Sequence, residues 1–330
     1  MLTATPKIVS VLVPAFNEEA NVERCYAAIV EVFERLPGYD CEIVFTDNHS
    51  SDRTFELLRG IASHDPRVRV IRFSRNIGYQ RSLLAAYKAA AGDCSVQIDC
   101  DLQDPPSLIP QMLGLWREGN EVVYGIRRSL PDPWHVALMR RGFYHLVNAL
   151  SEDDLPPNAG EFRLVDRRLL DELRQVDDTS PYLRGLISAM GFRQVGFAYD
   201  RQDRIAGTSK FPFRQMVLLG LDAVLNHSLL PLRLASWTSL LVGFATTVIL
   251  AVYIFGALVL GQDWPRGFAT TTILLLFAIA LNALFMGILG EYVGRIFMQS
   301  KRRPGTIVEE IVGGDHGLSP AGTRRETLSA

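Results

Sequence analysis

The sequence predicts an α/β fold: a mostly parallel sheet flanked by helices, followed by a C-terminal pair of apolar helices. Three observations carry that expectation. From Ile8 to Tyr124, short apolar runs alternate with segments of helical period. Acidic and turn-forming residues gather where the apolar runs end. From Leu234 onward, two long stretches carry no charged residue. Strand and helix alternating at this spacing mean βαβ units, right-handed crossovers and a sheet covered on both faces.

The elements follow in order. Ile8–Pro14 is a continuous apolar strand, as in a sheet buried on both sides. It runs through Ala15-Phe16-Asn17-Glu18-Glu19 into a helix from Asn21 to Leu36, which Pro37-Gly38 ends. Cys41–Thr46 is the second strand; the residues from Asp47 to Thr54 are turn and cap formers that lead into a helix from Thr54 to Ser63. Val68–Phe73 is the third strand, Ser74–Tyr79 a turn, and Arg81–Ala91 an alanine-rich helix. The central strand, Val96-Gln97-Ile98, ends in Asp99, Asp101 and Asp104 and is stopped by Pro105-Pro106. A helix from Ser107 to Glu118 and a strand from Glu121 to Tyr124 follow. In such sheets ligands bind outside the carboxyl ends of the strands. Pro14–Glu18, Asp47 and Asp99–Asp104 all fall there.

Carboxylates crowded at a buried strand tip repel one another and lose hydration, a cost that a positive partner offsets. A hard divalent cation takes oxygen ligands, so Asp-x-Asp at this tip suits Mg2+ or Mn2+ held against a substrate's phosphates.

Composition narrows the classes. A net charge of −2 argues against a nucleic-acid binder driven by bulk charge. With 21% charged and 48% hydrophobic residues, the chain is not a disordered or acidic tail protein. Cys25, Cys41, Cys94 and Cys100 lack paired spacing and read as reduced thiols; the six histidines lack metal-ligand spacing. Met1–Lys7 has no apolar signal core.

The uncharged runs span 234–260 and 268–289, each longer than the ~20 residues that cross a ~30 Å hydrocarbon core. Trp237, Tyr253, Trp264 and Tyr292 stand near their ends, as interfacial aromatics do. Arg233 precedes the first run, while Arg295, Lys301, Arg302 and Arg303 follow the second. The short break Gly261–Gly267 has only Arg266, balanced by Asp263. By the positive-inside rule both termini are cytoplasmic. The expected division is a catalytic domain over 1–211, interfacial helices over 212–232, a transmembrane hairpin over 233–290 and a cytoplasmic tail over 291–330, mobile from Gly313 onward. Arg167, Arg168 and Arg214 read as a solvated juxtamembrane basic surface.

Four stretches carry a resemblance: Val13-Pro14-Ala15-Phe16-Asn17-Glu18, the turn from Asp47 to Thr54, Asp99-Cys100-Asp101-Leu102-Gln103-Asp104-Pro105-Pro106, and Asn158-Ala159-Gly160-Glu161-Phe162-Arg163-Leu164. They resemble the family 2 glycosyltransferases, whose Rossmann-like GT-A fold binds nucleotide sugars. More narrowly, the sequence is similar to polyprenyl-phosphate glycosyltransferases, relatives of dolichyl-phosphate mannose synthase. Arg201-Gln202-Asp203-Arg204-Ile205-Ala206-Gly207-Thr208-Ser209-Lys210-Phe211 resembles their basic motif. The hairpin and Leu289–Ile296 resemble bacterial members that modify a lipid carrier. The likeness covers residues from about 8 to 310.

The resemblance implies transfer of a hexose from a nucleotide diphosphate sugar, foremost UDP-glucose, to undecaprenyl phosphate, at the bacterial inner membrane. It implies Asp101 as a metal ligand for Mg2+ or Mn2+, with Gln103 as a second. Pro14, Ala15, Glu18, Asp47 and Asp99 would line the nucleotide pocket, and Arg163, Arg201, Arg204, Ser209 and Lys210 would meet the phosphates. The catalytic set is Glu161, Asp101 and Arg201. Glu161 departs from the pattern, since the related enzymes carry Asp within Gly-Asp-Phe-Arg-Leu. The family also implies a homo-oligomer, a tetramer among the forms it allows. Two alternatives stay open: mannose transfer from GDP-mannose to dolichyl or decaprenyl phosphate, and a non-catalytic membrane scaffold on the same fold.

Overall fold

The computed structural model describes residues 6–128, 159–178, 181–201, 267–301 and 305–314, with a set of helical positions between 235 and 259. They divide into two compact units, one within Met1–Asp132, Pro156–Ser209 and Pro304–Ala330, the other within Pro133–Leu155 and Lys210–Arg303.

In the first unit, β1 (Lys7–Ala15), β2 (Tyr39–Asp47), β3 (Val68–Phe73) and β4 (Cys94–Gln97) are the expected strands. Helices α1 (Val22–Glu34), α2 (Thr54–His64) and α3 (Tyr79–Ala89) alternate with them, and α4 (Ile109–Arg117) follows β4. β5 (Val122–Arg127), β6 (Ala159–Asp166), α5 (Arg167–Gln175), α6 (Leu183–Ala189), β7 (Gln194–Tyr199) and β8 (Val308–Gly313) complete the unit. The eight strands run in the order β7-β5-β6-β4-β1-β2-β3-β8.

The apolar runs form strands because both faces are covered. Val9, Val11 and Val13 of β1 enter the core beneath α1 and α2, while Leu12 enters the core beneath α3, α5 and α6. Pairing within β1–β4 is parallel, as expected. The rest of the sheet is mixed: β6 inserts antiparallel between β4 and β5, and β8 pairs antiparallel with β3. β6 escapes sequence reading because its charged residues alternate with apolar ones. That pattern suggests an exposed face, yet Arg163 is 3% exposed. β8 ends at Gly313, where the expected mobile part of the tail begins, and was not foreseen as a strand; its Val312 packs on the core under α2.

In the second unit, α7 (Phe268–Ser300) runs for 33 residues, about 50 Å at 1.5 Å per residue. Within it, the 18-residue window Phe277–Gly294 has a mean hydropathy of 1.6, so by length and composition the helix is long and apolar enough to cross a membrane. The helix continues past the expected end at Leu289, through Glu291 and Arg295. The described positions from Ala235 to Val259 are also helical; the remainder of that expected span, the break at 261–266 and the interfacial segment 212–230 lie outside the described residues.

Candidate active site

The carboxyl ends of β1 and β2 meet in register, Ala15 beside Asp47, with Pro14 one residue inside. The loops leaving them are laced together. Asn48 N–H donates to the Ala15 carbonyl at 3.0 Å, Asn17 N–H to Ser50 Oγ at 3.0 Å, and Ser51 N–H to Asn17 Oδ1 at 2.9 Å. Asn17 and His49 sit at φ 57° and 60°, a left-handed turn that short polar side chains tolerate through such local bonds. Glu18 donates its N–H to Thr54 Oγ1 at 2.8 Å, and its Oε2 accepts from Asn21 Nδ2 at 2.6 Å, so it steadies the start of α1. Asp47 is fully buried. Its Oδ1 accepts from Ser50 Oγ at 2.5 Å; its Oδ2 has no hydrogen bond and lies 3.4 Å from Arg72 Nη1.

At the tip of β4 a relay of hydroxyl and amide groups leads to Asp99. Tyr87 donates to Gln97 Oε1 at 3.0 Å, Gln97 Nε2 to the Tyr79 hydroxyl at 2.8 Å, and Tyr79 to Asp99 Oδ1 at 2.6 Å. Loss of hydration is the main cause that raises the Asp99 carboxyl to about 6, aided by the negative charges of Asp104, Asp101 and Glu161 and opposed by the Tyr79 bond. Asp101 Oδ1 accepts from the N–H of Gln103 at 3.1 Å, and Leu102 between them has φ 58°.

Opposite this tip, β6 presents Glu161 and Arg163 on one face. Arg163 is in register with Gln97 of β4 and Tyr124 of β5, and its Nε has no hydrogen-bond partner. Glu161 Oε1 accepts from Arg184 Nη2 at 2.9 Å. Burial alone would raise the Glu161 pKa, but the cations Arg184 and Arg163, with Gln80, hold it below its usual value. Gln80 also accepts from the Leu183 N–H at 3.1 Å, fastening the start of α6 to α3.

Asp104, 1% exposed, gathers a separate group. Tyr199 donates to its Oδ1, Arg127 Nη2 lies 3.5 Å from Oδ2, and Arg201 Nε lies 3.5 Å from Oδ1. Arg201 thus faces a carboxylate of its own chain. Arg204, Ser209 and Lys210 lie outside the described residues. Arg167 is corrected from a solvated cation: its Nη1 donates to the carbonyls of Ala91 at 3.1 Å and Gly92 at 3.3 Å. Arg168 pairs with Glu121 at 2.5 Å. All four cysteines are free and buried.

The structure therefore brings Asp99, Asp101, Glu161 and Arg163 to one end of the sheet, with Asp47 and Glu18 at neighbouring strand ends. Sequence reasoning missed Tyr79, Arg127, Arg184 and Tyr199. Only Tyr199 carried a signal, standing two residues before Arg201. Among the described residues, no three His, Cys, Asp or Glu side chains converge closely enough to hold a metal ion by themselves. One or two carboxylates completed by substrate phosphates is the usual arrangement for Mg2+, and the mutual repulsion around Asp99 fits it.

The chain is similar along most of its length to several known proteins. The glycosyltransferase YkcC of Bacillus subtilis is 36% identical over 306 residues, covering 92% of this chain and 94% of that one. A prophage bactoprenol glucosyl transferase homolog of Escherichia coli is 31% identical over 92% of this chain and 99% of its own. The SfII prophage-derived bactoprenol glucosyl transferase of Shigella flexneri is 32% identical over 92% and 97%. Among solved structures, a mannosyltransferase of Pyrobaculum calidifontis with GDP-mannose and Mn2+ is 19% identical over 88% of both chains, at a TM-score of 0.48. The family model described as glycosyl transferase family 2 matches residues 10–174, from β1 into α5 and through all three acidic strand ends. With its relatives aligned over nine-tenths of its length, the chain belongs to glycosyl transferase family 2 and is a glycosyltransferase.

Proposed function

We propose that this enzyme moves glucose, or a similar hexose, from a UDP-sugar to a polyprenyl phosphate at a membrane. The observation that carries the reading is the alignment of bactoprenol glucosyl transferases along 92% of this chain. The site chemistry agrees with it.

The reaction breaks the bond between the anomeric carbon and the nucleoside diphosphate, and forms one to an oxygen of the acceptor phosphate. Asp47 and Asp99 meet the base and ribose, with Pro14, Ala15 and Glu18 shaping that end of the pocket. Asp101, with Gln103, would hold Mg2+ or Mn2+, which as a Lewis acid stabilises the departing diphosphate. Arg163, deeply buried at the same end, supplies fixed positive charge toward phosphate oxygens, and Arg204, Ser209 and Lys210 would add contacts from their loop. Arg201, read as part of the catalytic set, has its guanidinium 3.5 Å from Asp104. Glu161, ionised and held by Arg184, is a weak base at neutral pH. The acceptor phosphate, with a second pKa near 6, is already mostly ionised and needs little deprotonation. Glu161 therefore orients the acceptor or sugar.

Spans at 234–260 and 268–289 would form a hairpin in the bacterial inner membrane with both termini cytoplasmic, next to a catalytic domain over 1–211 and interfacial helices over 212–232. The enzyme would act as a homo-oligomer.

The test is a donor screen with purified protein, labelled UDP-glucose or GDP-mannose, undecaprenyl phosphate, and Mg2+ or Mn2+. Label from UDP-glucose entering the organic phase is the expected result. Label from GDP-mannose alone would replace the sugar, and no labelled lipid from any nucleotide sugar would overturn the reading.

A further inference from the structure

The strand β8 lies far along the chain from the acidic loops, yet it reaches the residue next to Asp47. Its register against β3 slips once: Arg72 is opposite Glu310, and Phe73 is opposite Val308. Glu309 is the extra residue of that bulge. Successive strand side chains ordinarily point to opposite faces, but a bulge re-aims the residue it adds. Here Glu309 and Glu310 both reach arginines that lie against Phe55 of α2. Glu310 takes Arg59 at 2.7 and 2.8 Å, and Glu309 takes Arg72 Nε at 3.1 Å. The two guanidinium groups stand 4.9 and 4.3 Å from the centre of the Phe55 ring. Glu309 Oε2 also lies 3.2 Å from His49 Nδ1, on the turn that follows Asp47.

Arg72 is thus shared. Its Nε serves Glu309, while its Nη1 stays 3.4 Å from Asp47 Oδ2 without hydrogen-bonding to it. That oxygen is buried and unsatisfied, which is costly unless a ligand donates to it. We infer that Glu309 is a positioning residue for the donor pocket: by drawing Arg72 toward β8, it keeps Asp47 Oδ2 available to an N–H or O–H of the nucleoside. Without the Glu309 carboxylate, the guanidinium closes on Asp47, its remaining carboxylate, and occupies that acceptor. The C-terminal strand then sets donor affinity without touching the donor. This rests on the nucleotide-sugar reading of the site given above.

The experiment measures UDP and GDP binding to the purified full chain by calorimetry, with steady-state turnover alongside. Glu309→Gln should weaken binding of the preferred nucleotide on the order of tenfold, the usual scale for a residue that orients a direct contact. The loss should appear in donor KM, with kcat nearly unchanged. Glu310→Gln, which breaks the equally placed pair to Arg59, should leave nucleotide affinity unaltered. Arg72→Gln added to Glu309→Gln should restore much of the lost affinity, because nothing then covers Asp47. Equal losses in Glu309→Gln and Glu310→Gln would mean that β8 merely docks, and would overturn the inference. So would a double variant no better than Glu309→Gln alone. If the wild type binds a nucleotide and Glu309→Gln binds it equally well, this inference alone fails. Absence of UDP and GDP binding by the wild type would overturn the donor reading together with it.

Discussion

Arg201 and Asp104 face one another, Nε 3.5 Å from Oδ1, so the first cation of the basic motif is held by the last acid of the Asp99–Asp104 loop. Asp104 also receives the Tyr199 hydroxyl and stands near Arg127. One buried carboxylate therefore ties the β4 loop to the ends of β5 and β7. Replacing it leaves two guanidinium groups without their counter-charge. Asp104→Asn should cost on the order of 2–3 kcal/mol, less than the ~3–5 kcal/mol of a fully buried pair because both arginines are partly exposed. A melting temperature equal to that of the wild type would show that Asp104 does not organise this corner.

Asp101→Asn should nearly abolish transfer and leave the melting temperature unchanged, since Asp101 is half-buried in the loop after β4 and is not part of the hydrophobic core. Measured turnover with Mg2+, Mn2+ or excess EDTA checks the assignment. An Asp101→Asn enzyme that works at full rate in EDTA would remove the metal role.

Glu161→Gln keeps an oxygen that accepts from Arg184, so a positioning role predicts a fall below about tenfold, whereas loss of a general base costs about 10²–10⁴-fold. Glu161→Asp, which restores the residue typical of the related enzymes, should retain much activity. The discriminating number is kcat of Glu161→Gln at saturating acceptor, with donor affinity measured separately. A drop of several orders of magnitude at unchanged affinity would make Glu161 the base.

Asp65 gives the fold an acid limit. Its carboxyl accepts from Arg67 at 2.7 Å and from Tyr26 at 2.8 Å, and chiefly the Arg67 bond lowers its pKa to about 2. The unfolded chain protonates the same group near 3.9. The folded state therefore binds fewer protons, and the contribution of Asp65 is fully present above pH ~4 and lost as pH falls toward ~2. Melting temperatures of wild type and Asp65→Asn should converge over that interval. A constant gap from pH 6 to pH 2 would contradict the assignment.

Gly92 marks a close approach of backbones. A methyl group there would lie 2.6 Å from the Ile8 carbonyl oxygen and 2.9 Å from the Ser10 nitrogen, neither of which is a movable side chain. Its N–H also donates to Ser10 Oγ at 2.9 Å. Gly92→Ala should destabilise the catalytic unit by roughly 1–3 kcal/mol, as other overpacked sites do. Thermal melting checks this, and an unaffected midpoint would mean that the loop can step aside.

What the sequence revealed and what it hid follow from the range of the interactions. Strands β1 to β4 and their helices were legible because apolar periodicity is local and both sheet faces are covered. The acids at Asp47, Asp99 and Asp101 were legible because strand ends in such a sheet are where ligands bind. Arg184 was not, since its pairing with Glu161 joins residues 23 apart on α6 and β6, and a helical arginine looks the same whether solvated or paired. The same holds for Arg127 and Tyr199 around Asp104. Arg201 was seen as a cation, but a sequence does not show that Asp104 stands opposite it. The bulge that turns Glu309 toward Arg72 depends on the register between strands distant along the chain, which no short window contains.

That distance has a consequence for how the protein is made. Glu309 follows Arg72 by 237 residues, and α7 lies between them in the chain. At about 5–20 residues per second, a ribosome delivers β8 roughly 10–50 s after β3. Throughout that interval β3 is an open edge strand, with unpaired backbone groups that can template pairing with another chain. The nascent enzyme is therefore most prone to aggregation while its apolar helices are being synthesised, and the sheet closes its own edge only after they have emerged.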